Sequence, residues 1–269
     1  MRTLIAAFLL VPSALAQSDD SADLGRVRLA ASPLAIAAKL VSSSVQERQA
    51  GLRQLGFDPG EEPPGLRVAV HWEQLDQDPE EEVVLALEVA GTVNVFVVDQ
   101  HQGEWWRVAR FANGFRDGCT LDGTLAFKQT RKDGIRDILI RTSGGGTDIV
   151  STNLTIYQLR EGTVRRLFHV VEDASYRVMG RQTSDVMTHE HVSLAFVNDS
   201  GTANPLIVAD RTKEQWKASD KDFLGLPGRR TLSQECSVYR WSEPLGKFSF
   251  DGVLTRRICG FRKPLSELR

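Results

Sequence analysis

The sequence predicts a mainly β protein of short antiparallel strands, preceded by one helical segment. From residue 66 onward, short runs rich in Val, Ile, Leu, Phe and Thr alternate with turns rich in Gly, Asp and Asn. Strands at this spacing, separated by turn residues, are typical of an all-β sandwich, barrel or propeller. No long helical pattern separates the strand-like runs, which argues against a parallel sheet built from βαβ units.

An internal repeat refines this prediction. Three segments, at about 66–112, 123–172 and 191–252, share the order strand, acidic turn, apolar strand, loop, strand, tight turn, strand. Four strands per unit is the number found in a propeller blade. Closed propellers have about four to eight blades, so three propeller-like units predict an open, fused or incomplete array.

The acidic turn of each unit carries a resemblance to a known repeat. In the first unit the turn contains Asp76 and Asp78 and ends at Glu82, where an apolar strand begins. In the second unit Asp133 and Asp137 bracket the same kind of turn. This pattern resembles the FG-GAP/VCBS repeats of integrin-like propellers and of many exported bacterial proteins, and the resemblance covers most of residues 66–252.

The resemblance implies a calcium loop. Calcium takes six to eight oxygen ligands, several of them carboxylates, and Asp76, Asp78 and Glu82 match the ligand positions of the family loop. In the second unit Arg131 stands at the position of Asp76, where a cation opposes metal binding. Calcium is therefore expected at the first loop at most. The alternative is that these side chains only cap turns by accepting hydrogen bonds from their own backbone.

The N-terminal residues 1–16 have the three-part pattern of a cleaved signal peptide. Arg2 is followed by an apolar run at 4–11 and by small residues at Ala14 and Ala16. A membrane span needs about 20 apolar residues, so this run is too short to be one. We therefore expect a soluble protein, secreted or periplasmic, without a membrane span.

The remaining chain divides into segments of different composition. The predicted segments are a flexible lead-in at 17–32, a helical segment at 33–56, a Pro/Gly linker at 57–65, and a β-repeat domain at 66–269 that ends in a C-terminal strand at 253–258. The helical segment is either one helix or two helices divided by the serines at 42–44.

Charge and cysteine content limit the classes of partner and compartment. The chain has 33 Lys and Arg against 35 Asp and Glu, without a concentrated basic block, which argues against nucleic-acid binding. Its three cysteines are Cys119, Cys236 and Cys259. In an oxidising compartment we expect Cys236 and Cys259 to pair, since each borders a strand-like run, and Cys119 to be free. The alternative is three buried thiols that act as small apolar residues.

One short motif suggests a second metal. His189 and His191 flank Glu190, and residues two apart on a strand share a face, so both imidazoles can reach one zinc ion. Zinc needs three or four protein ligands, and no third ligand is visible in the sequence. The alternative is an ordinary surface strand end.

Catalytic motifs do not stand out. The chain has neither a Gly-x-Ser-x-Gly nucleophile elbow nor a phosphate-binding Gly-Lys-Ser/Thr loop. The first functional hypothesis is therefore an exported, non-catalytic binding or scaffold protein that presents its β surface to a protein or glycan partner. The alternative is an exported hydrolase whose site is assembled between units, with metal assistance, around His189, His191 and the acidic loops.

Overall fold

The computed structural model describes residues 22–57, 66–89, 92–113, 121–146, 149–178, 186–217 and 231–260. Within these ranges the chain is mainly β and forms two antiparallel sheets, neither of which closes on itself. The predicted signal peptide, most of the predicted linker, and Cys119 lie outside the described residues. No helix in these ranges has both the length and the apolar character needed to cross a membrane.

The first sheet contains six strands and includes the first predicted unit. Its order is β1-β6-β5-β4-β3, and β2 also pairs with β6. The strands are β1 (Ala22–Asp23), β2 (Val27–Arg28), β3 (Arg67–Glu73), β4 (Glu82–Val89), β5 (Thr92–His101) and β6 (Glu104–Asn113).

The second sheet is an eight-stranded meander in which every strand pairs with its neighbour in the chain. The strands are β7 (Leu125–Lys128), β8 (Asp137–Gly146), β9 (Ile149–Arg160), β10 (Thr163–Val178), β11 (Val186–Val197), β12 (Leu206–Lys217), β13 (Thr231–Ser242) and β14 (Lys247–Phe250). A short helix, α3 (Leu121–Thr124), precedes β7. Because β10 pairs with β11, the second and third predicted units are continuous in one sheet.

The two sheets share an apolar core. Strand β4 reads EVVLALEV, and such a continuous apolar run is typical of a strand that is buried on both faces. One face of the first sheet packs on the first strands of the second sheet, where the rings of Phe111 and Tyr157 lie 4.5 Å apart. The opposite face of β4 and β5 packs against two helices.

These helices are α1 (Pro33–Leu40) and α2 (Val45–Gln54), and a serine begins each of them. The hydroxyl oxygen of Ser32 accepts the N–H of Ala35, and that of Ser44 accepts the N–H of Glu47. Serine is among the preferred N-cap residues because it satisfies a backbone donor that the first turn leaves open. The segment predicted as helical therefore contains two helices, with the break at 42–44.

The predicted flexible lead-in differs from the structure where the structure describes it. Residues 22–28 contain β1 and β2, which pair with β6. The guanidinium of Arg107 on β6 donates to Asp23 at 2.7 Å, and Leu29 is buried in the helix-side core. This pairing covers an edge strand whose backbone groups would otherwise lack partners.

The predicted C-terminal strand at 253–258 is wrong, because these residues form helix α4 (Gly252–Cys259). Asp251 caps this helix by accepting the N–H groups of Val253 and Leu254 at 3.0 and 2.9 Å. The Thr255 hydroxyl accepts the N–H of Val238 on β13. These capping and docking contacts outweigh the β-branched composition that suggested a strand.

The structure pairs Cys236 on β13 with Cys259 on α4, and their Cα atoms lie 5.7 Å apart. Cys236 is buried in a small cluster with Val238 and Leu254, and Cys259 packs against the same cluster. The bond therefore joins the last helix to the sheet at a site that is already apolar. The partner of Cys236 is a helical residue and not the end of a strand.

We expect Cys259→Ser to lower the free energy of unfolding by about 3 kcal/mol, since the bond closes a segment with a sequence separation of 23. Urea unfolding of the wild type and the variant, each with and without reductant, measures this difference. Cys119→Ser is the matched control. Reductant should lower its free energy of unfolding by as much as it lowers that of the wild type. An equal effect of reductant on wild type and Cys259→Ser would contradict the prediction.

Candidate functional site

A polar cleft of about 630 Å³ lies where turns of the two sheets meet. Its walls come from the turns β1–β2, β3–β4, β7–β8, β9–β10 and β11–β12 and from the ends of β5 and β13. The two acidic turns are fixed to each other, because the Arg136 N–H donates to the carbonyl of Gln74 at 3.1 Å. The Arg136 guanidinium also pairs with Glu73 at 2.8 Å. The two turns compared in the sequence therefore lie side by side.

The first turn brings its three carboxylates together. One oxygen each from Asp76, Asp78 and Glu82 lies within 4.8 Å of the other two. The backbone shapes this arrangement, since Asp76 accepts the N–H of Asp78 at 2.9 Å and Asp78 accepts the N–H of Glu80 at 3.0 Å. The Gln74 amide donates to the carbonyls of Asp76 and Asp78. Asp76 and Asp78 thus cap the turn while their carboxylates converge.

Glu82 is the most buried of the three, with 1% of its surface exposed. Its Oε2 accepts the N–H of Leu75 at 2.6 Å, whereas its Oε1 is buried and has no hydrogen-bond partner. Burial, together with the negative charges of Asp76, Asp78 and Asp99, raises the pKa of Glu82 to about 8. A buried carboxylate oxygen without a partner is costly unless a cation or proton compensates for it.

Asp99 is a buried carboxyl beside this group that sequence reasoning missed. It lies on β5, is 5% exposed, and its Oδ1 is also buried without a partner. Burial, together with the negative charges of Asp76 and Asp78, raises its pKa to about 6. Asp99 belongs to a different strand from the turn motif, so spacing within the motif does not point to it. The one sequence signal is an acidic residue directly after the apolar run VNVFVV.

The second turn has the same layout but contains its own cation. The guanidinium of Arg131 pairs with Asp133 and with Asp137, the latter at 3.0 Å. The Thr130 hydroxyl donates to the other oxygen of Asp137. Arg131 also lies over the ring of Trp241, with its guanidinium carbon 5.4 Å from the ring centre. A cation from within the chain therefore pairs with both carboxylates of this turn.

The two turns differ at one corresponding position. Arg131 precedes Asp137 by the same six residues that separate Asp76 from Glu82. Among the described residues, no lysine or arginine forms an ion pair with Asp76, Asp78 or Glu82. The first turn therefore holds its carboxylates together without the internal cation that the second turn supplies.

His189 and His191 lie elsewhere, in the middle of β11, and neither lines the cleft. Glu190 between them points to the opposite face of the sheet. There it accepts the hydroxyl of Tyr176 at 2.6 Å and pairs with Arg211 and Lys213. The structure thus brings together the three predicted calcium ligands but does not bring the two histidines to the acidic turns.

No protein-family model matches this chain, and searches of curated proteins and of solved structures found no match.

The stability of the metal-free protein is expected to depend on pH through Glu82. Its folded pKa of about 8 lies above its usual 4.5, so the folded state holds the proton more tightly between these values. Stability from this group is therefore lost as pH rises from about 4.5 to 8. Glu82→Gln removes the ionisation. The melting temperature of this variant should therefore rise relative to that of the wild type as pH increases across this range. Thermal unfolding in chelator at several pH values measures the difference.

The matched control is Glu104→Gln, which removes an exposed carboxyl on β6. The difference in melting temperature between Glu104→Gln and the wild type should stay constant from pH 4.5 to 8. A constant difference for Glu82→Gln as well would show that Glu82 does not titrate in this window.

Proposed function

We propose that this chain is a non-catalytic binding protein that holds a calcium ion at its first acidic turn and binds a protein or glycan partner in the adjoining cleft. The observation that carries the proposal is the buried, unpartnered Oε1 of Glu82, in a group of three carboxylates that forms no ion pair with a lysine or arginine among the described residues.

The donor set fits a hard cation. Asp76, Asp78, Glu82 and Asp99 offer carboxylate oxygens only, and such oxygens suit calcium better than zinc or copper. Asp76, Asp78 and Glu82 are the ones that would hold the ion, and Asp99 adds a further negative charge beside them. When bound, calcium would neutralise the cluster and offer further coordination positions to oxygen atoms of a partner. Arg131 performs the neutralising task in the neighbouring turn, which supports the assignment.

The cleft itself favours a polar partner. Its volume of about 630 Å³ lies within the usual range for ligand sites. Its walls carry both signs of charge, including Arg26 and Arg160 as well as the acidic residues, and Trp241 also lines it. Hydroxyl, amide and carboxylate groups of a glycan or protein segment match such walls. Binding is preferred to hydrolysis because His189 and His191 lie outside the cleft.

Export and repeat origin belong to the same proposal. We propose that residues 1–16 direct the chain to the periplasm or the exterior, where a disulfide persists and calcium is plentiful. The Cys236–Cys259 bond supports this compartment. We also propose that the three units are propeller-like repeats, and the run of four consecutive antiparallel strands in each unit supports this origin.

Calcium binding is tested with an isosteric pair of variants. The wild type should bind one calcium ion, and calcium at 100 times its dissociation constant should stabilise it by about 2.7 kcal/mol. Asp78→Asn removes a ligand charge and should lose most of this gain. Asp133→Asn makes the same change in the turn that contains Arg131 and should keep it. Calorimetric titration and thermal unfolding measure both effects.

An unchanged melting temperature of the wild type on adding calcium or chelator would contradict the calcium assignment. Equal losses in Asp78→Asn and Asp133→Asn would place the ion outside the first turn.

Partner binding is tested by screening glycans and extracellular or periplasmic proteins with calcium and with chelator. Partner binding should require calcium and should weaken several-fold in Arg160→Ala, which removes an exposed side chain from the cleft wall. Arg67→Ala removes an exposed arginine that does not line the cleft and should bind normally. A partner that binds equally to both variants and in chelator would show that another surface is used.

A further inference from the structure

We propose that strand β3 is the interface of a homodimer, in which the β3 strands of two copies of this chain pair in antiparallel orientation. This strand spans Arg67–Glu73 and lies at one edge of the first sheet. Among the described strands, β4 is the only one that pairs with it. The cleft walls contain no residue of β3, so the dimer stands or falls independently of the proposed function.

The other edges of the two sheets are either covered or short. At the opposite edge of the first sheet, β1 and β2 pair with β6. The edge strands of the second sheet, β7 and β14, have four residues each. Covering and shortening are two ways in which proteins prevent an edge from adding a further strand. Strand β3 has seven residues and neither protection within the part of the chain that the structure describes, so it is the edge best able to accept another strand.

The sequence of β3, RVAVHWE, is complementary to itself. When two copies pair in antiparallel orientation about Val70, Arg67 lies opposite Glu73 of the second copy. The same register places Val68 opposite Trp72. Each pair occurs twice, once on either side of the two-fold axis, as an isologous interface requires. Pairs of opposite charge and pairs of an aromatic with a β-branched residue are both favourable across antiparallel strands.

The charged ends of β3 already belong to ion pairs that the dimer would extend. Within one chain, Arg67 pairs with Glu88 on β4 at 2.9 Å, and Glu73 pairs with Arg136 at 2.8 Å. Each end of the dimer would therefore carry a row of four charges of alternating sign: Glu88, Arg67, and then Glu73 and Arg136 of the second copy. The side chains of Arg67 and Arg136 are more than half exposed, so this row lies at the rim, where charges fix the register more than the affinity.

Trp72 supplies the apolar contact. Its side chain is 44% exposed, which leaves a large aromatic surface in water. Val68 and Val70, which share its face of the strand, pack against the helix-side core. In the antiparallel pairing each indole would cover Val68 of the other copy and so continue this core across the interface. Tryptophan is among the residues that most often dominate the binding energy of an interface.

The alternative explanation is that the charged ends of β3 keep other strands away, as charges on edge strands often do. Charges of one sign at both ends would repel a second copy of this chain. The two ends of β3 carry opposite signs, so an antiparallel second copy meets attraction at both ends. The charge pattern therefore favours a second copy as the occupant of this edge.

The first test is sedimentation equilibrium of the full chain in chelator. The wild type should dimerise with a dissociation constant of about 100 μM or tighter, as expected of a small, transient interface. Trp72→Ala should weaken the dimer at least tenfold, which corresponds to about 1.4 kcal/mol. Phe250→Ala is the matched control, because it removes an aromatic side chain of similar exposure, 45%, from β14. This control should dimerise like the wild type.

The second test exchanges the charges at the ends of β3. Arg67→Glu alone places two acidic residues opposite each other at both ends of the dimer, and Glu73→Arg alone places two basic residues there. Each variant should dimerise at least tenfold more weakly than the wild type. An equimolar mixture of the two variants restores a pair of opposite charges at both ends and should regain the dimer.

Mixing also separates loss of the interface from loss of the fold, because a misfolded variant could not be rescued by the other variant. Circular dichroism and thermal unfolding of each variant check the fold directly. Arg28→Glu is the matched control for charge reversal, since it breaks an exposed ion pair with Glu104 away from β3. It should dimerise like the wild type.

A wild type that stays monomeric at about 1 mM would overturn the proposal and would leave this edge to a strand of another protein. Dimerisation that survives in Trp72→Ala would overturn it as well, because the two copies would then meet through another surface. A mixture of Arg67→Glu and Glu73→Arg that stays monomeric would also contradict the proposed pairing.

Discussion

The packing of the two sheets against each other and against the helices determines where the polar groups of the cleft lie. Strand β4 shows this constraint most clearly, since residues 83–87 are at most 1% exposed. Val84 and Ala86 face the second sheet, while Val83, Leu85 and Leu87 face helices α1 and α2. Burial of a Val or Leu side chain is worth about 1.5–3 kcal/mol. A one-residue slip of β4 would exchange the two faces, so its register is fixed.

This constraint holds Glu82 in a position that its own charge disfavours. Glu82 is the first residue of β4, so its carboxylate enters the junction with the strand it begins. The apolar residues that follow supply the stability that keeps it there without a complete set of partners. The neighbouring turn meets the same problem with Arg131, which satisfies Asp137 from within the chain. Two turns of similar design thus resolve the burial of an acidic residue differently.

Sequence patterns predicted the β class and most strand positions because apolar runs and turn residues are local signals. The same patterns identified Asp76, Asp78 and Glu82, which lie within one turn. They misassigned residues 253–258, where the cap at Asp251 and the contact of Thr255 with β13 decide the structure. Asp99 escaped notice because the carboxylates near it belong to the turn before β4 and not to its own strand. The pairing of β10 with β11 could not be predicted either, because the spacing of strands in the sequence does not show which strands pair within one sheet.

The strict meander of the second sheet has a consequence for how the chain reaches its fold. Each of its strands pairs only with strands adjacent in sequence. The sheet can therefore form one hairpin at a time, and each step has a low entropic cost of loop closure. The first sheet differs, because β1 and β2 pair with β6 across the whole of the helical segment and three strands. We therefore expect the residues before α1 to join last, and β6 to remain an open edge until they do. During that interval β6 is the place where a second unfolded chain would add most easily.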